Sequence, residues 1–255
     1  MGDGVLQDRR SETAAKIKAR PAEVSQRFEA AFWLEDLGTY ALALDGAKRP
    51  CRVRASNAGH ALFGGIASPE RATHVARSLM APQSFSGWGI RTLAEGERRF
   101  NPMSYHNGSV WPHDNGLIAM GLGRYGLKQQ VADLLAALVD ASRFTELRRL
   151  PEFICGFSRR VGSGPTLHPN ACAPQAWAAS SVIGMVGALL GISFDRARRR
   201  VTLSTPVLPA SIEAIHISQL RLGDASIDFT LRRSGDTALL SDVRRNGDID
   251  VTVSA

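Results

Sequence analysis

The sequence lacks the patterns that mark several common classes of protein. It contains three cysteines, and their spacing matches no metal-binding or redox motif. It has no dinucleotide fingerprint, phosphate-binding glycine loop or nucleophile elbow. The N-terminus has no apolar stretch typical of a signal peptide, and the longest apolar run falls just short of the roughly 18 to 20 residues that span a bilayer. These absences predict a cytoplasmic protein with no metal, no cofactor and no membrane span.

Aromatic side chains make up only 7% of the chain, and the positive charge is not organised into a binding stripe. The formal net charge is +7, but the basic residues lie in scattered pairs and in the run RARRR at positions 196–200. A nucleic-acid surface needs clustered Lys and Arg, usually with interleaved aromatics. Nucleic acid is therefore an unlikely partner, and a general anion-binding surface ranks last among the functions considered.

One segment, SYHNGSVWPHDNG at positions 104–116, is rich in aromatic and polar residues. Two aromatics, two histidines, one aspartate and two asparagines lie within thirteen positions. Such a composition suits a binding loop better than a hydrophobic core. The side chains available to a ligand here are Tyr105, His106, Asn107, Trp111, His113 and Asp114.

The hydrophobic pattern predicts a mainly α fold up to about residue 192. Helices rich in Gly, Ala and Ser, such as 56–66, 112–126 and 173–192, alternate with ordinary amphipathic ones. Small-residue helices tolerate close packing on all sides and suit an inner layer, whereas amphipathic helices have one solvent-exposed polar face and suit an outer layer. We expect about three such helical pairs, with the long loops gathered at one end of the ring.

The remaining residues alternate with period two, and turn signals at LGDA, RSGDT and RNGD interrupt them. This pattern predicts a small antiparallel β appendage. The expected organisation is a polar tail at 1–20, a helical domain at 21–192 and the β appendage at 193–255.

Four motifs in one order carry a family resemblance: SGWGIRTL, NPMSYHNGSVWPHDN, LPEFICGFSR and PQAWAASSV. In this order they resemble the C-terminal half of bacterial amylo-α-1,6-glucosidases, also called archaeal-type glycogen debranching enzyme-like proteins. These proteins resemble the wider mannosylglycerate-hydrolase-like group of glycosidases built on an (α/α)6 barrel. The resemblance extends from about residue 20 to the end of the chain.

The resemblance implies an inverting glycoside hydrolase that acts on α-glucan, with Glu152 as general base. Inverting glycosidases need a second carboxyl group as general acid. In the family the acid lies in the first half of the barrel, which has no counterpart here, so a partial (α/α)6 toroid is expected. From the residues alone, Glu152 is equally consistent with a glutamate that pairs with the neighbouring basic run.

Several other side chains are candidates for the site. Asp114 lies at a helix N-terminus, which stabilises a carboxylate and favours sugar binding over an acid role; Glu35 and Asp36 are weaker alternatives as acid. Trp88 and Trp111 could stack on a sugar face or simply pack. The family pattern makes Gln175 and Trp177 wall residues of the site.

Two hypotheses follow. The chain is either a hydrolase fragment, completed by a separate chain that carries the missing barrel half or by self-association, or a catalytically inactive carbohydrate-binding or regulatory remnant. Exposed flanks of the inner helices in a half toroid would favour association.

Overall fold

The computed structural model describes residues 22–254; the predicted polar tail at 1–20 lies outside this range. The helices are α1 (22–32), α2 (Asn57–Phe63), α3 (Pro69–Leu79), α4 (Pro112–Arg124), α5 (Lys128–Ser142) and α6 (Ala176–Leu190), with a 3-10 turn at Glu146–Arg148. The strands are β1 (Trp33–Leu34), β2 (Thr39–Tyr40), β3 (Ile192–Asp195), β4 (Arg200–Ser204), β5 (Ala214–Leu222), β6 (Ala225–Ser234), β7 (Thr237–Asn246) and β8 (Asp250–Ser254).

Helix starts follow local sequence signals in some places and not in others. Ser68 caps α3 by accepting a hydrogen bond from the Arg71 amide, with Pro69 in the first turn. Ser56, which precedes α2 and is a residue type that often caps helices, does not act as a cap. Its backbone already has helical angles, and its side chain makes no capping hydrogen bond to α2.

The small-residue helices α2, α4 and α6 form one layer, with α4 in the middle. Glycines allow this close approach on both sides of α4. A Cβ at Gly121 would lie 2.5 Å from the backbone nitrogen of Phe63 on α2, and a Cβ at Gly116 would lie 2.8 Å from the Cβ of Ser181 on α6. The predicted inner layer of small-residue helices is therefore confirmed.

The outer layer consists of α1, α3 and α5, and the main hydrophobic core lies between the two layers. Outer helices contribute large side chains such as Val75, Leu79 and Leu134, which meet Leu62 and Ile118 of the inner helices. These side chains belong to one continuous cluster, which fills the space between the two layers.

Helix α6 is apolar nearly all round in sequence, yet one of its faces is exposed, as expected for the flank of an inner helix in a half toroid. The side chains of Ala176, Trp177, Ala179, Ser180 and Ile183 are exposed, Ile183 to 74%. We call these five residues the open face of α6. An exposed apolar face on an inner helix agrees with a partial rather than a closed ring of helices.

The residues after α6 form two three-stranded sheets. Strands β5, β6 and β7 are joined by the two predicted hairpin turns at 222–225 and 234–237. The third turn signal, at 246–247, does not form a hairpin, because β8 crosses to the other sheet and pairs parallel to β4. The expectation of a wholly antiparallel appendage is therefore wrong. With helices and several sheets present, the described fold is mixed rather than mainly α.

One buried cation joins the helices to the sheets. Lys128, at the start of α5, is 8% exposed. Its ammonium group donates to the carbonyl oxygens of Leu189 (3.1 Å), Thr205 (2.8 Å) and Ser204. A cation at the C-terminal end of α6 is also favoured by the helix dipole.

Within residues 22–254, no helix has both the length and the apolar character needed to cross a membrane. The cytoplasmic location stays a prediction.

Candidate functional site

A cavity of about 490 Å³ lies where the long loops meet the N-terminal end of the inner helices α4 and α6. Seven of the nine side chains predicted to bind substrate line it. They are Tyr105, His106, Asn107, Trp111, His113, Asp114 and Trp177. The loops were expected to gather at one end of the helical layer, and this is confirmed.

The start of α4 fixes the first part of the wall. Trp111 is extended and precedes Pro112, which occupies the first turn. Asn115, which is fully buried, accepts a hydrogen bond from the Ile90 amide (2.7 Å) and donates to the carbonyls of Ile90 and Trp111. This asparagine was not identified from the sequence, although it lies inside the conspicuous motif. It clamps the neighbouring loop to the helix start.

Aromatic rings form much of the cavity wall. Trp111 stacks on Phe153 at 4.7 Å and meets the edge of Tyr105 at 4.9 Å. His113 stacks on Trp177, with centroids 4.0 Å apart. Flat apolar faces with polar edges nearby match the apolar C–H surfaces and hydroxyl rim of a sugar ring.

Glu152 lies beside this wall and is 8% exposed. The Tyr105 hydroxyl donates to its Oε1 at 2.9 Å, and the Cys172 amide donates to its Oε2 at 3.3 Å. This contact with Glu152 raises the pKa of Tyr105, so the phenol stays a donor at neutral pH. Two donors on different oxygens hold the carboxylate in one orientation while leaving acceptor positions free.

A second carboxylate, Asp114, is held from the neighbouring helix. His60 of α2 lies with its Nε2 2.6 Å from Asp114 Oδ1. This hydrogen bond raises the pKa of His60, against the effect of its partial burial. His113 behaves in the opposite way: burial lowers its pKa, although the charges of Asp114 and Glu152 oppose the change. Both carboxylates therefore act electrostatically on the same imidazole.

Three predicted site residues do not line the cavity, namely Trp88, Gln175 and Glu152, which lies beside it. Trp88 is 2% exposed and packs under the guanidinium of Arg159, 4.4 Å from its ring centre. Gln175 caps α6, where its side chain accepts from the Ala176 amide at 3.1 Å. Packing was the alternative considered for Trp88, whereas helix capping by Gln175 was not predicted from the sequence.

The other possible acids also lie elsewhere. Glu35 accepts a hydrogen bond from the Trp33 indole, and Asp36 pairs with Arg52. Both line a separate cleft beside α3. Within the part of the chain that the structure describes, no three His, Cys, Asp or Glu side chains converge as metal ligands.

Arg91 was also missed from the sequence. Its side chain is almost fully buried, and it donates to the carbonyl oxygens of Gly156 (2.7 Å), Pro82 (2.9 Å) and Gln83 (3.0 Å) and to the Ser158 hydroxyl (2.8 Å). It thereby joins two of the loops that build the site.

Fold and cavity together define a carbohydrate-processing type of protein, and comparison with known families gives the family. Residues 5–149 match the mannosylglycerate hydrolase MGH1-like glycoside hydrolase domain, and the chain belongs to this family. It is 37% identical over 118 residues to mannosylglycerate hydrolase MGH1 of Selaginella moellendorffii. That alignment covers 46% of this chain and 23% of the relative, so the chain spans only a minor part of the curated protein's length.

Solved structures show the shared fold. A GH78 family rhamnosidase of Bacillus sp. GL1 superposes with a TM-score of 0.63 over 95% of this chain and 23% of its own, at 18% identity. The GH63 mannosylglycerate hydrolase of Thermus thermophilus, solved with glucose, superposes with a TM-score of 0.50 over 63% of this chain and 36% of its own, at 22% identity. The wider glycosidase group named by the resemblance is thus confirmed, whereas the debranching identity stays a prediction.

Proposed function

We propose that this chain forms one wall of a glycosidase active site and supplies the general base, Glu152. The observation that carries the proposal is the position of this carboxylate, which is hydrogen-bonded to Tyr105 beside a cavity lined with aromatic rings. In an inverting reaction the base removes a proton from the water that attacks the anomeric carbon. The hydrogen bonds from Tyr105 and the Cys172 amide orient the carboxylate for this water.

The proposed role of Asp114 is to bind sugar hydroxyls. It lines the cavity in the first turn of α4. His60 engages its Oδ1, which leaves Oδ2 to accept hydrogen bonds from a bound sugar. Trp111, Trp177 and His113 would contact the ring face, and His106 and Asn107 its hydroxyls.

The proposed substrate is a neutral oligo- or polysaccharide of the α-glucan type. Among the described residues, no lysine or arginine lines the cavity, and Asp114 adds negative charge to its wall. A substrate with a carboxylate, such as the mannosylglycerate for which the curated relative is named, would need a cation there. A neutral glucan needs only hydroxyl partners and stacking faces, which this wall offers.

The general acid is proposed to come from outside this wall. Asp114 is the one carboxylate that lines the cavity among the described residues, and it is engaged by His60. The open face of α6 supports the proposal that a chain carrying the other barrel half, or a second copy of this chain, packs beside it. A carbohydrate-binding protein without catalysis is the second candidate, and it is favoured by the same observation that the one carboxylate lining the cavity among the described residues is engaged by His60.

Replacement of Glu152 by Gln tests the assignment. With the chain that carries the other barrel half present, we expect Glu152→Gln to reduce hydrolysis of maltooligosaccharides and limit dextrin at least a hundredfold, because loss of a general base typically costs about 10²–10⁴ in rate. Sugar binding, measured by titration calorimetry, should change less than about threefold, since the amide preserves the shape and one acceptor.

The matched control is Glu146→Gln, an exposed glutamate in the same segment, which should match the parent in both assays. Hydrolysis by Glu152→Gln at the parental rate would show that another group is the base. Sugar binding without hydrolysis, in the chain alone and with the other barrel half added, would favour the second candidate. Failure of the parent to bind any of these sugars would contradict the proposal itself.

A further inference from the structure

The His60–Asp114 pair lies between two helices that are closely packed against each other. A Cβ at Gly59 of α2 would lie 2.6 Å from Ile118 Cγ1 of α4. The backbone of α2 at Gly59 is therefore in close contact with the Ile118 side chain of α4. Gly121 makes a similar close approach one turn further along α4. The imidazole on one helix and the carboxylate on the other therefore meet with little freedom to rearrange.

Asp114 has acceptor capacity that the described residues do not use. It is 6% exposed and lines the cavity, and His60 engages only Oδ1. Oδ2 is buried and has no hydrogen-bond partner within residues 22–254. Because a carboxylate can accept about four hydrogen bonds, and buried acceptors without donors are unfavourable, a hydroxyl donor that enters the cavity would satisfy this group.

We propose that His60 is a positioning residue for sugar binding, which holds Asp114 in the orientation in which its carboxylate accepts hydroxyl hydrogen bonds from the bound sugar. This inference rests on the proposed function of the cavity as a sugar site. His60 does not itself line the cavity, so it acts through Asp114 rather than by contact with the sugar.

The titratable groups around the pair determine the pH dependence. His60 faces Asp114 and, at longer range, His113, both on α4. Since the pKa of His60 is raised, its imidazole is charged below the ordinary histidine value of about 6.5, and this charge is lost as pH rises through the raised pKa. Its contribution to stability is lost in the same window. The pKa of His113 is lowered, so its own titration falls below that window.

The test measures maltooligosaccharide affinity by titration calorimetry between pH 6 and 9 in three variants. His60→Phe removes the donor and should weaken binding about tenfold, the loss expected for one hydrogen bond to a charged group. His60→Gln keeps a donor and should bind within about threefold of the parent. It should also lack the parental decline in affinity at higher pH, because it cannot titrate. His74→Gln, on α3 outside the cavity, should match the parent at every pH.

NMR titration of His60 gives an independent readout. Asp114→Asn should lower the His60 pKa, and an unchanged value would overturn the pairing on which the inference depends. Sugar binding that neither His60 variant alters at any pH would overturn the positioning role alone. No sugar binding by the parent would overturn the proposed function together with this role.

Discussion

Gly156→Ala should destabilise the protein by about 3 kcal/mol or more, at or beyond the upper end of the usual cost of overpacking. A Cβ at this position would overlap the carbonyl oxygen of Gly108. Neither side can yield easily, since both groups belong to backbone held by hydrogen bonds. The Gly156 amide donates to Pro102 at 2.8 Å, and the Gly156 carbonyl accepts from Arg91.

The measurement is urea unfolding followed by circular dichroism. Gly46→Ala is the matched control, because nothing lies within 4 Å of its Cβ position, and its stability should stay within about 1 kcal/mol of the parent. The substitution at Gly156 should also impair sugar binding, because the two loops that would separate carry Tyr105 and Glu152. Parental stability of Gly156→Ala would mean that these loops do not pack as described.

Arg91→Met should cost about 2–3 kcal/mol of unfolding free energy. The change keeps an apolar stem of similar length but removes every donor of the guanidinium. The buried carbonyl oxygen of Gly156 then loses a partner, which costs about 1–3 kcal/mol, whereas the carbonyls of the exposed residues Pro82 and Gln83 lose a partner that water can replace. Water that enters the space left by the guanidinium would donate hydrogen bonds to some of these carbonyl oxygens and so reduce the loss of stability.

Arg27→Met, at an arginine whose side chain is 80% exposed, is the control and should change stability by less than about 0.5 kcal/mol. Chemical denaturation of both variants under one set of conditions gives the comparison. If Arg91→Met stays within 1 kcal/mol of the parent, then the guanidinium does not hold the loops together, and Asn115 must do so without it.

The helical layers could be predicted because their signals are local. Ser68 with Pro69 defines the start of α3, and the glycines of α4 indicate a helix packed on two sides. The exposure of Ile183 could not be read from the sequence. The sequence of an apolar helix does not show whether every one of its faces is covered by another element.

The β region shows the opposite case. Asn246-Gly247 is the strongest hairpin signal in the chain, yet the strand that follows pairs parallel to β4. A turn signal specifies that the chain changes direction, but the partner of the next strand depends on which sheet edge is free. That information lies in residues about fifty positions away along the chain.

Most of the candidate site lies close together in sequence, and this explains why so much of it was predicted. Six of the seven predicted residues that line the cavity belong to the segment 105–114, so a single loop brings them together. Whether Trp88 and Gln175 reach the cavity depends instead on tertiary structure. In the structure Trp88 packs against Arg159, and Gln175 caps α6. Arg91 and Asn115 act on backbone groups of distant segments, for which a single sequence gives no signal.

The ammonium of Lys128 has a thermodynamic consequence for the whole chain. It is the shared donor for carbonyl oxygens from the last turn of α6 and from the end of β4. Any fluctuation that lifts the sheets away would leave a buried charge with too few acceptors. We therefore expect the helices and the sheets to melt as one cooperative unit, with a single calorimetric transition and similar amide-exchange protection on both sides of Gly191. Two separate transitions would show that this cation does not couple them.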